Sequence, residues 1–235
     1  MPIGLVGVDA DDTLWHNETI FRLTHQRFNA LLAEFADAET IETRLAEVER
    51  RNLALYGYGA KGFTLSMLET ALEISDQRAP AHVIAEIVAA GREMMAHPID
   101  PLPGVRAALE ALAAEQRLVL ITKGDLFHQE QKLAASGLGG LFHGVEVVSE
   151  KTADAYVRAF ARHGGTAETS LMAGNSVKSD ILPALAAGAH AALIPYPLVW
   201  AHEAAEPPVD HPRYRELATL SELPGWIAEL GGPSR

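Results

Sequence analysis

Positions 3–8 form an apolar run that breaks abruptly into the polar string DADDT. An uninterrupted run of this kind matches a strand covered on both faces, as in a parallel sheet, and the break marks a loop at its carboxyl end. Short β-rich runs of the same kind recur at 118–122 (LVLIT), 145–149 (VEVVS), 171–173 (LMA) and 191–194 (AALI). Helix-forming stretches lie between them. Residues 103–115 begin with proline, 125–136 stop at Gly137, 153–162 stop at Gly164 and Gly165, and 180–187 stop at Gly188, which follows the usual placing of proline at helix starts and glycine at helix ends. Strands alternating with helices predict an α/β fold, a parallel sheet with helices on both faces.

Residues 17–97 interrupt that alternation. Ile20, Leu23, Phe28, Leu31, Leu32 and Phe35 fall at helical spacing, as do Ile41, Leu45 and Val48. Phe63, Leu65, Leu68 and Leu72 repeat the pattern, followed by Val83, Ile84, Ile87 and Val88. The spacing predicts about four helices inserted after the first strand. The prolines at 98, 101 and 103 mark the return to the core, so the expected division is a core of 1–16 and 98–235 and a helical domain of 17–97. Residues 55–63 (LYGYGAKGF) are expected to be a flexible joint between two of the helices. Residues 195–212, with five prolines, predict irregular chain before a last helix near 221–230.

Composition narrows the function classes. With 19 Lys and Arg against 31 Asp and Glu, the 235-residue chain carries a formal net charge of -12. A field of that sign repels polyanions and argues against nucleic acid as a partner, while leaving room for a small phosphate ester held by local donors and a metal. With no cysteine, disulfides, thiolate catalysis and Cys-based zinc sites are excluded. No apolar stretch approaches the ~20 residues needed to span a bilayer, and the start MPIGLVGVDADD lacks the basic and apolar regions of a signal peptide. The expectation is a cytoplasmic protein without a membrane partner.

The candidate chemistry gathers at the carboxyl ends of the expected strands, where open α/β sheets bind their ligands. Asp9, Asp11 and Thr13 follow the first strand. One ionised carboxylate can attack phosphorus and divide a hard displacement into two. A second carboxyl can protonate a leaving alcohol and then take a proton from water. The neighbouring Asp12 reads as a loop or cap carboxylate, Asp125 as a helix N-cap, and Ser176 and Ser179 as residues that shape a loop. The ten histidines show no metal-binding spacing, and the Met94–Met95 pair reads as core.

Four motifs in order resemble the haloacid dehalogenase superfamily. They are Asp-x-Asp-x-Thr after the first strand (Asp9, Asp11, Thr13), a strand ending in Thr122 (LVLITKGD), Lys151 after the third strand (VSEKT), and MAGNSVKSD after the fourth. The resemblance implies a Rossmann-like core with an inserted helical cap, and a magnesium-dependent phosphatase acting on a small phosphorylated metabolite. In that reading Asp9 is the nucleophile and a magnesium ligand, and Asp11 is the general acid and base with its carbonyl on the metal. Thr122 with Lys123 or Gly124 holds a phosphoryl oxygen, and Lys151 offsets the charge around Asp9. Asp180 and Asn175 complete the metal shell, and Mg2+ suits oxygen ligands of this kind. Asn175 departs from the family pattern, which more commonly has Asp there, so Asp180 is expected to be the main acidic ligand of its segment. Tyr56, Tyr58 and Lys61 are expected to face the leaving group. Haloacid dehalogenation, phosphoryl transfer by a mutase, and noncatalytic binding on the same fold stand as alternatives.

Overall fold

The structure, a computed structural model, describes residues 2–231. Its six strands are β1 (Leu5–Val8), β2 (Arg117–Lys123), β3 (Gly144–Val148), β4 (Ser170–Gly174), β5 (His190–Leu193) and β6 (Tyr214–Glu216). All neighbours pair in parallel, in the order β3-β2-β1-β4-β5-β6. The chain leaves β1 in one direction to reach β2 and returns to its other side for β4. The carboxyl end of β1 is therefore the point where the strand order reverses, the natural ligand crevice of such a sheet.

The inner stretches of β1, β2 and β4 carry no polar side chain because both faces are covered. Val6, Val8, Leu118, Leu120, Leu171 and Ala173 point to one face, where they pack with Leu109 and Leu112 of α5 (Val105–Ala113) and with Trp226 and Ile227 of α9 (Leu223–Gly231). Leu5, Val119, Ile121 and Met172, one residue out of phase, meet Tyr156, Ala159 and Phe160 of α7 (Ala153–Arg162) and Ala184 of α8 (Leu182–Ala186) on the other face. Two apolar sets of period two merge into the continuous runs seen in the sequence.

The chain divides into two compact units. One holds the residues up to Glu18, Ile99–Lys123 and the residues from Gln129 on; the other holds Thr19–Pro98 and Gly124–His128. The second unit contains the helices α1 (Glu18–Leu32, from Thr19), α2 (Ala38–Tyr56), α3 (Ala60–Ile74) and α4 (Ala81–Ala96). Phe28, Leu32, Ile41, Leu45, Phe63, Met67, Ile87 and Met94 form its core. The division falls within α6 (Leu126–Ser136), whose residues from Gln129 on belong to the first unit. Among the described residues no helix is long and apolar enough to cross a membrane.

Four expectations change in detail. Residues 55–63 are not one long joint. Only Gly57, Tyr58 and Gly59 separate α2 from α3, because both glycines take positive φ, 70° and 104°, and reverse the chain within three residues. Leu23, Leu65 and Leu72, read as core from their spacing, are exposed. The buried face of α3 instead runs through Phe63, Met67 and Ala71, with the small residues Ala60, Ser66 and Thr70 beside them. The stretch 180–187 does not begin at Asp180 but in a π-helical turn at Val177–Ile181. Finally β6, three residues long and pairing only with β5, was not expected, since so short an edge strand carries no readable period.

Phe160 is fully buried against β1, β2 and β4. Its replacement by Ala is expected to cost about 3–5 kcal/mol, measured as a lower urea midpoint at an unchanged slope.

Candidate active site

The loops that leave β1, β3 and β4 converge on one buried ammonium. Lys151 Nζ donates to Asp9 Oδ1 at 2.5 Å and to Asp180 Oδ1 at 2.6 Å, and its side chain is 3% exposed, against 9% and 1% for the two acids. Asp9 is the first residue beyond β1. Asp180 is placed by the π-helical turn: its Oδ2 accepts the Ser176 amide at 2.9 Å, and the Asp180 and Ile181 amides both donate to the Ser176 carbonyl. Tyr156 closes the turn from α7 with a hydroxyl that donates to the Ser179 carbonyl at 2.9 Å. A side-chain carbon at Gly174 would overlap the Asp180 carboxyl, so glycine there is what allows the acid to lie against β4.

Two carboxylates share one ammonium, which leaves the buried cluster one negative charge in excess. Burial pushes the Asp9 carboxyl above its ordinary range; Lys151 opposes the shift and Asp180 adds to it. Burial works to lower the Lys151 pKa, but Asp180 and Asp9 outweigh it and hold the ammonium above the usual lysine range.

Thr13 and Asn175 complete the Asp9 side. Thr13 Oγ1 donates to Asp9 Oδ2 at 3.2 Å. The Asn175 amide lies 3.2 Å from Asp9 Oδ2, Thr13 Oγ1 and the Asp11 carbonyl, and its NH2 satisfies all three when turned toward them, an orientation assigned from the hydrogen bonds.

Asp11 belongs to a second group that its sequence neighbours do not reveal. Its Oδ1 accepts from Trp15 Nε1 at 2.7 Å and from Lys132 Nζ at 2.5 Å, and its Oδ2 from Gln129 Nε2 at 3.2 Å. Burial drives this carboxyl up, but Lys132 and the hydrogen bonds from Lys132, Trp15 and Gln129 outweigh it and leave Asp11 below the ordinary carboxylate range. Gln129 also donates to Thr122 Oγ1 at 2.7 Å, which ties the end of β2 to the loop after β1.

The other expected residues fall elsewhere. Lys123 Nζ donates to Ser179 Oγ at 2.9 Å and to Glu203 Oε1 at 2.6 Å, while Glu203 also accepts from the Ser176 and Ser179 hydroxyls. Ser176 accepts the Ser179 amide. Gly124, at φ 132°, opens the segment grouped with the helical unit. In that unit Tyr56 donates to Glu69 and Lys61 to Asp125, each at 2.8 Å, and Tyr58 lies in the turn between α2 and α3. Asp12 takes φ 61° and accepts the amides of Asn17 and Glu18 at the start of α1, while Asp125 accepts the His128 amide at the start of α6. Lys132, Gln129, Trp15, Tyr156 and Glu203 escaped the sequence reading because no motif carries them. Gln129 and Lys132 share only the i, i+3 spacing that any helix offers.

Among the described residues no group of three His, Cys, Asp or Glu is placed to hold a metal ion. Magnesium does not require such a cage, since it keeps several waters and takes one or two carboxylates together with a substrate phosphate. Asp9, Asp180 and the Asp11 carbonyl supply oxygen donors, while Asn175, whose NH2 faces them, would join only with its amide oxygen turned inward. With both acids ionised, the Asp9–Lys151–Asp180 cluster keeps an excess negative charge that suits a cation. The residues present fit the ion.

Comparison with known proteins places the chain. Residues 3–188 match the family model of the haloacid dehalogenase-like hydrolases, and the chain belongs to that family. A haloacid dehalogenase-like family hydrolase from Xanthomonas campestris is 44% identical, with 97% of this chain and 92% of that one covered and a TM-score of 0.88. At 21% identity, a 2-haloacid dehalogenase from Pseudomonas syringae pv. Tomato shares the fold with a TM-score of 0.65 over 97% of this chain and 99% of that one. A HAD phosphatase from Thermococcus onnurineus shares it at 19% identity, a TM-score of 0.63, and 95% and 97% coverage. No curated protein sequence matches the chain.

Replacing Lys151 by Met leaves two buried carboxyls without their cation, an expected loss of about 3–5 kcal/mol near neutral pH. An acid whose pKa is raised on folding binds more protons in the native than in the unfolded chain, so the variant's stability falls as pH rises above ~4, the unfolded carboxylate value. Urea unfolding with chelator present, at about pH 5 and about pH 8, is expected to show the smaller deficit at the lower pH.

Proposed function

We propose that this hydrolase is a magnesium-dependent phosphatase acting on a small phosphorylated metabolite through an aspartyl phosphate on Asp9. The observation that carries the reading is the second carboxyl, Asp11. It is linked through Gln129 to Thr122, the residue assigned to the phosphoryl oxygens. Displacement of halide from carbon releases no alkoxide and has no need of a leaving-group acid, whereas cleavage of a phosphate ester gains from one.

In the first step an Asp9 oxygen attacks phosphorus, the ester P–O bond breaks, and the leaving alcohol takes a proton from Asp11. In the second, water attacks the phosphorus of the acyl phosphate and gives a proton to Asp11; inorganic phosphate departs and the Asp9 carboxylate is restored. Lys151 opposes the upward push of burial on Asp9 and so favours the ionised form, the one that can attack. Asp9, Asp180, the Asp11 carbonyl and, with its amide oxygen turned inward, Asn175 would hold magnesium, which would supply charge neutralisation and in-line positioning of the phosphoryl group. Asp11, held below the ordinary carboxylate range, must take up a proton from solvent before it serves as the acid of the first step, and regains one from the attacking water in the second. Esters whose alcohol leaves without help are therefore expected to turn over most readily.

The test is hydrolysis of 4-nitrophenyl phosphate with magnesium and with chelator. Turnover is expected with the metal alone, to fall by ~10³-fold or more in Asp9→Asn, about 4 kcal/mol of transition-state stabilisation, and by ~10²–10⁴-fold in Asp11→Asn. Halide release from a 2-haloacid with chelator present, without phosphatase turnover, would instead make the protein a dehalogenase.

Substrate choice is assigned to the helical insert. Substituting Tyr58 and Lys61 together is expected to raise KM for the preferred ester several-fold with kcat little changed; an unchanged KM on every ester would remove them from recognition.

A further inference from the structure

The mechanism uses Asp11 but leaves open what aims it. Asp11 stands in a loop, and a loop carboxylate with a quarter of its side chain exposed (26%) has free rotation unless something holds it. Three donors do. Trp15 Nε1 and Lys132 Nζ both reach Oδ1, at 2.7 and 2.5 Å, and Gln129 Nε2 reaches Oδ2 at 3.2 Å, so both oxygens are engaged and the rotation of the carboxyl is set. Gln129 and Lys132 stand three residues apart on one face of α6, and both are buried.

The placement of Lys132 is costly on its own terms. Its side chain is 7% exposed, and its ammonium has Asp11 at 2.5 Å and the Asn17 amide oxygen at 3.4 Å. Burying an ion pair returns little net stability, because desolvation offsets the attraction. What the pair does produce is orientation. Gln129 extends that orientation: its single NH2, with two hydrogens, is shared among Asp11 Oδ2, Thr122 Oγ1 at 2.7 Å and the Lys123 carbonyl at 3.1 Å. The carboxyl and the end of β2 are thus referenced to one point on α6.

We propose that Lys132 and Gln129 are positioning residues for Asp11, a two-residue platform on α6 that aims the acid/base carboxyl relative to the phosphoryl-holding end of β2. This rests on the reading of Asp11 as the acid and base, and it adds residues outside the four motifs. Neither side chain is assigned a bond to the substrate or a proton to transfer; both act through their hydrogen bonds to Asp11. Positioning of this kind shows in kcat, because misaiming a proton-transfer group leaves ground-state binding intact.

The experiment is a double-mutant cycle with 4-nitrophenyl phosphate and magnesium, using wild type, Lys132→Met, Lys132→Arg, Gln129→Leu, Asp11→Asn and the Asp11→Asn combinations with Lys132→Met and Gln129→Leu. Lys132→Met is expected to lower kcat by ~10–100-fold with KM within about twofold, and Lys132→Arg to recover part of the loss. The Asp11→Asn/Lys132→Met double variant is expected to be no slower than Asp11→Asn alone, since a platform with nothing to aim has no effect left to lose. Gln129→Leu removes no charge and is expected to show the same split and the same non-additivity, which keeps the test open should Lys132→Met fail to fold. Wild-type kcat in Lys132→Met and Gln129→Leu, or losses that multiply with that of Asp11→Asn, would overturn the platform while leaving Asp11 in its role. Wild-type kcat in Asp11→Asn would instead overturn the role of Asp11 and the platform with it.

Discussion

A single buried ammonium, that of Lys151, holds the centre of this protein in place. Asp9 follows β1 and Asp180 lies in the turn after the neighbouring β4, far apart in sequence, and both are almost wholly removed from solvent. Two carboxylates at that depth repel one another and pay a heavy desolvation cost, so neither loop could keep its place without an opposite charge between them. Glycine at 174, the π-helical turn after it and the Tyr156 hydroxyl on that turn are all arranged around the same contact. Lys151 does not neutralise both acids, and the negative charge that remains makes the site receptive to a cation.

Beside that cluster lies a second ion pair of different character. Asp11 and Lys132 balance each other, and their surroundings of Trp15 and Gln129 satisfy the carboxyl fully. The two acids of the DADDT loop are therefore driven in opposite directions by their neighbours, Asp9 upward by burial and Asp180, Asp11 downward by Lys132 and its donors. Divergent environments for paired carboxyls are how one site obtains two roles from one residue type. Asp12 is drawn off into a third task, capping the start of α1.

The family membership and the fold agree with this chemistry without selecting a substrate. Haloacid dehalogenases and phosphatases share the same sheet, and likeness at about one-fifth identity speaks for the fold alone. The proposed function rests instead on local features, the second carboxyl Asp11 and its link through Gln129 to Thr122.

Much of this was legible in the sequence. Continuous apolar runs identified the buried strands, and glycines and prolines marked where the helices between them stop and start. Asp9, Thr122, Lys151 and Asp180 could be picked out because they match, in order, four motifs of a known family that fall at or after the carboxyl ends of the strands. The sequence by itself therefore determined the α/β alternation, the helical insert and the residues able to do chemistry, since periodicity and strand ends are local properties. Only the tertiary structure decided which of them meet. That Lys151 bridges Asp9 to Asp180, that Lys132 and Gln129 hold Asp11, that Lys123 turns to Glu203, and that Met67 and Ala71 rather than Leu65 and Leu72 face the helical core depends on side chains brought together from distant parts of the chain, where packing and charge pairing, not local spacing, choose the partner.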